Sequence, residues 1–64
     1  MPNPSQIIAV SNAFLAVNEP QYALSALQKG RKVLHNGYPF NFEIADIYST
    51  LGNFDMMIDE YLAM

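Results

Sequence analysis

Ile44-Ala45-Asp46-Ile47-Tyr48-Ser49-Thr50-Leu51-Gly52-Asn53-Phe54 is the stretch that decides how this chain folds. Ile44, Ala45, Tyr48 and Leu51 fall on one face of a helix. Gly52-Asn53 then closes it, because glycine enters the left-handed conformation that ends a helix without a steric cost. Phe54 opens a further helix, with Asp55 in the first turn against the positive end of the macrodipole. Met57, Ile58, Tyr61 and Leu62 carry its apolar side to the end of the sequence. Two helices joined by so short a turn lie antiparallel.

The same pattern stands once before in the chain, at a constant offset. Val10 falls on Ile44, Ser11 on Ala45, Phe14 on Tyr48 and Val17 on Leu51; Asn18 then falls on Gly52, Ala23 on Met57 and Leu27 on Tyr61. Punctuation supports the repeat. Asn3-Pro4 opens a helix by capping and by the fixed φ of proline, and Asn18-Glu19-Pro20 ends it and opens the next. That second helix carries the stripe Ala23, Ala26, Leu27, Gly30 and Leu34, and Asn36-Gly37 supplies its stop. Tyr38-Pro39 reads as a connection. No segment alternates with period two, so no strand is expected. The sequence therefore predicts an all-α fold with helices at about 4–17, 20–35, 41–51 and 54–64, in one domain spanning 1–64. Repeat one covers 4–37 and repeat two, truncated, 38–64. Small residues (Ala23, Ala26, Gly30, Ala45) let helices approach, and Phe14, Leu27 and Tyr48 fill the space opposite. Gly30 inside a helix costs about 1 kcal/mol against alanine, which implies a packing role.

With these residues the chain resembles the tetratricopeptide-repeat family over nearly its whole length. The offset that carries Val10 onto Ile44, a period of 34, is that family's repeat length. Ile44-Ala45 is similar to its large-small pair, Tyr48 to its first aromatic, Leu51-Gly52-Asn53-Phe54 to its inter-helix turn and Tyr61 to its late aromatic. Val10-Ser11, Phe14, Ala23, Leu27 and Gly30 take these roles in the first copy. Ile7 and Asn41 replace the usual early tryptophan, and His35 the closing proline. Met57 and Met64 stand at small-residue positions, which would push the last helix outward. The resemblance implies a short α-solenoid of two stacked hairpins that binds a protein or peptide along a concave groove. The groove would be lined by Ile8, Asn12, Leu15 and Ala16 from the first helix, and by Phe42, Glu43, Asp46, Ser49 and Thr50 from the third. One subgroup grips a chaperone's C-terminal carboxylate with Lys, Arg and Asn. Asn12 matches one such position, but Ile8 stands where the lysine should be and the third helix presents acids. The lining suits an apolar segment with some basic residues instead.

Composition points the same way. The chain has 64 residues, is 52% hydrophobic and has a net charge of −3. Nucleic-acid binding needs clustered Lys and Arg, and here Lys29, Arg31 and Lys32 read as partners of a helix C-terminal dipole, with His35 beside them. Cysteine is absent, so neither a disulfide framework nor a thiolate site is expected. His35 has no nucleophile or orienting group suggested nearby, so no enzyme activity is expected. Asp55, Asp59 and Glu60 read as a solvated acidic face rather than a metal site, and no cofactor is expected. The run from Ile7 to Val17 is too short to span a bilayer, and the sequence opens without the positive region of a secretory signal. A cytoplasmic setting is the default expectation.

The first helix bears no charge. Ile7, Val10, Phe14 and Val17 form its stripe, with Ile8 and Leu15 off it, so it expects cover on more than one side. Met56, Met57 and Met64 read as a seam for a further helix. A homo-oligomer formed through the first or last helix, or a segment of a longer repeat protein, is therefore the alternative to a groove-binding module.

Overall fold

A computed structural model describes residues 3–34 and 39–63. Its elements are α1 (Pro4–Ala16), α2 (Pro20–Val33), α3 (Asn41–Leu51) and α4 (Phe54–Leu62); among the described residues there is no strand. The fold is all-α, two helical hairpins in series.

Local chemistry sets the ends. Asn3 and Gln6 form a reciprocal capping box: Asn3 Oδ1 accepts from the Gln6 amide at 2.9 Å, and the Asn3 amide donates to Gln6 Oε1 at 3.1 Å. The two hairpin turns are conformational copies of each other. In the first, the Glu19 amide donates to the Phe14 carbonyl at 2.9 Å and the Asn18 amide to Leu15 at 3.0 Å. At the equivalent place in the second, Asn53 donates to Tyr48 at 2.9 Å and Gly52 to Ser49 at 3.1 Å. Both are Schellman closures, with Asn18 (φ 61°) and Gly52 (φ 77°) in the left-handed position. Asparagine is among the few non-glycine residues that tolerate it.

The hairpins form when α1 packs on α2 and α3 on α4, and α2 packing on α3 joins them; no other pair packs extensively. The result is a slab with Cα extents of 32 × 29 × 13 Å. Ala23, Leu27 and Leu34 from the α2 region, Phe40, and Ile44, Ile47 and Tyr48 from α3 make the core. Ile7, Ile8, Phe14, Leu24, Leu51 and Met57 pack around it. Burying each of Leu27, Ile44 and Ile47 stabilises by about 1.5–3 kcal/mol, so α2 and α3 carry most of the fold.

Several expectations need correcting. Helix α2 stops at Val33, because Leu34 turns extended (φ −80°, ψ 120°) and buries its side chain in the core. The expected stop at Asn36-Gly37, and His35, Tyr38 and Met64, lie outside the described residues. The covered face of α1 is rotated from the expected stripe. Ser11 is its buried residue, with Ile7 and Phe14 half-buried, whereas Val10 and Val17 are 49% and 66% exposed. The physical reason is that α1 has α2 alone as an extensive neighbour, so only part of its apolar surface is covered.

Candidate functional site

Helix α3 packs against α2 on one side and α4 on another, which leaves one strip in water. Phe42, Asp46, Ser49 and Thr50 lie on that strip and are exposed. On α1 the residues at equivalent positions of the first repeat include Asn12, Leu15 and Ala16, exposed as well. Seven of the nine expected lining residues are thus exposed, three on α1 and four on α3.

Ile8 and Glu43 do not lie on the open faces. Ile8 is half-buried and packs on the core, so it holds α1 down more than it lines a surface. Glu43 is half-buried at the edge of its strip, and its Oε1 is buried with no hydrogen-bond partner among the described residues. Two more make contacts of their own. Phe42 sets its ring edge-on to Tyr61 of α4, with centroids 6.3 Å apart at 65°, and the Thr50 hydroxyl donates back to the Asp46 carbonyl at 3.1 Å. Because α1 and α3 do not pack extensively on each other, their strips are two separate helix faces. Asp46 is the exposed carboxylate of the α3 strip.

Arg31 and Glu60 depart from their sequence reading. The guanidinium grips both carboxylate oxygens of Glu60, at 2.5 and 3.3 Å, and its Nε donates to the Pro39 carbonyl at 2.8 Å. Asn41 Nδ2 donates to Glu60 Oε1 at 3.0 Å. Arg31 is thus more than a dipole partner, and Glu60, its side chain 14% exposed, is not part of a solvated acidic face. Together they fasten α4 to α2 and to the link before α3. The signal available in the sequence was charge alone, and charge does not report which distant residue it meets.

Phe40 was missed too, although the structure buries it completely in the link between the hairpins. An aromatic residue in a stretch otherwise read as connection was the available clue. A methyl group placed on Gly30 would lie 2.7 Å from Ile7 Cγ2 and 3.1 Å from the Phe40 ring, so the packing role expected of Gly30 is real.

Among the described residues no group of three His, Asp or Glu side chains is placed to hold a metal ion, and no helix is long and apolar enough to cross a membrane. No family model matches the chain, and neither a curated protein nor a solved structure matches it.

Proposed function

We propose that this chain is a non-catalytic protein-interaction module of tetratricopeptide-repeat type, holding a partner peptide or helix along the open faces of α1 and α3. The observation that carries this reading is the exposure of equivalent positions on the two helices, Asn12, Leu15 and Ala16 on α1 and Asp46, Ser49 and Thr50 on α3, with Phe42 beside the latter. The α3 strip joins the Phe42 ring to one carboxylate, and the α1 strip adds Leu15 and Ala16. Together they suit an apolar segment bearing basic residues.

The test is a titration with a labelled amphipathic peptide of leucines and lysines, read by fluorescence anisotropy and by amide shifts. Shifts concentrated at Asn12, Asp46, Ser49 and Thr50 are expected. Reversing the charge with Asp46→Lys should weaken binding several-fold and flatten its salt dependence, as an exposed interface charge does. Unchanged affinity in Asp46→Lys, or shifts confined to α2 and α4, would sink the assignment.

A further inference from the structure

We propose that a second copy of this chain stacks head-to-tail on the first, with α4 of one copy covering α1 of the next. The surfaces involved are distinct from the strips of the proposed groove, although Tyr61 borders the α3 strip through its contact with Phe42. They are the flank of α1 carrying Val10, Ala13 and Val17, and the face of α4 carrying Ile58, Tyr61 and Leu62, all exposed.

The chain itself shows what covers such faces. Moved on by one repeat, Val10, Ala13 and Val17 become Ile44, Ile47 and Leu51 of α3, the first two buried and the third half-buried in the cluster shared with α2. Moved back by one repeat, Ile58 and Tyr61 become Leu24 and Leu27 of α2, half-buried and fully buried in that cluster. The open faces at the two ends thus correspond, by the repeat, to the residues that α2 and α3 bring to their shared core.

The polar contact at that interface supports the match. Gln28 Nε2 of α2 donates to the Tyr48 hydroxyl of α3 at 3.2 Å. At the outer faces Leu62 stands for Gln28 and Phe14 for Tyr48, so donor and acceptor are replaced together by apolar groups. Neither replacement strands a polar atom, which is the costly outcome at a buried interface. Charge disfavours a symmetric pairing through α4. Asp55 and Asp59 flank the α4 face, and two copies of α4 face to face would oppose them, whereas α1 from Pro4 to Ala16 carries no charge. An interface that joins two different faces does not close on itself as an isologous dimer does, so growth into longer assemblies follows.

The experiment is sedimentation equilibrium on the full chain and on Val10→Glu and Leu62→Glu, singly and mixed in equal amounts, with circular dichroism to confirm that each stays helical. Val10 and Leu62 are 49% and 78% exposed, so both variants should fold. The wild-type mass should rise with concentration past that of a dimer. Each variant alone should stay monomeric, and the mixture should double in mass, because each supplies the face the other lacks. Monomeric wild type at millimolar concentration overturns the proposal, whatever other segment then covers these faces. So does either variant associating alone, which means symmetric pairing, or a mixture that fails to associate. Asp46→Lys should stack like wild type, so failure of stacking and failure of the groove are read separately.

Discussion

Gly30 sits where three segments meet, and its missing side chain is what lets them. Its nearest neighbours are Ile7 of α1 and the ring of Phe40. Substitution by alanine would gain about 1 kcal/mol of helix propensity. It would also force a methyl group against a branched side chain and a buried ring, and overpacking of this kind costs about 1–3 kcal/mol. Gly30→Ala should therefore lower stability by about 1 kcal/mol, read as a fall in Tm of about 4–8 °C for a domain of this size. Ile7→Ala removes the tightest contact. In that background Gly30→Ala should be neutral or stabilising, and a double-mutant cycle without coupling would show that the contact is not felt. Phe40 is the second special residue. A bulky side chain at φ 56° sits in a sparsely populated backbone region, at a cost of about 1–3 kcal/mol. Full burial of the ring offsets that cost.

At the scale of elements, α4 is the helix least held by apolar contact. It has no fully buried residue, and Met57 is its one side chain packed on the core among the described residues. The Arg31–Glu60 clasp compensates. A double-mutant cycle with Arg31→Met and Glu60→Gln should give a coupling of about 1 kcal/mol that shrinks in concentrated salt, since the pair is only partly shielded from water. Amide exchange in α4 should quicken in either single variant while α2 and α3 keep their protection. Equal loss across all helices would mean that the clasp holds the whole fold rather than this element. The clasp was invisible in the sequence because it joins residues 29 positions apart, a separation that no local periodicity encodes. Helix ends were legible for the opposite reason. Asn3, Asn18, Gly52 and Asn53 act within a few residues of themselves, and their chemistry is the same in a peptide as in a fold.

For the whole molecule, the architecture followed from the match between the two halves of the chain, and the buried face of α1 did not. Apolar periodicity marks which surfaces want cover and is silent about whether cover is present. Val10 and Val17 share an apolar stripe in the sequence and stay exposed, while their counterparts Ile44 and Leu51 join the core. The lining positions on α1 and α3 came from the family resemblance, and the half-buried placement of Ile8 and Glu43 comes from packing that only three dimensions display. A slab in which the end helices keep open apolar faces should gain stability from association. If copies stack, the apparent Tm of the wild type should climb with protein concentration, and that of Leu62→Glu should not. Calorimetry across a hundredfold concentration range checks this.

The meeting of Ile7, Gly30 and Phe40 also bears on how the molecule comes apart. Ile7 belongs to the first hairpin's leading helix, Gly30 to its second, and Phe40 to the segment that leads into the second hairpin. Opening the first hairpin would uncover the Phe40 ring, which sits in the core cluster with Ile44, Ile47 and Tyr48 of α3. Interlocked through a shared aromatic wedge, the two hairpins should lose their structure in a single cooperative transition.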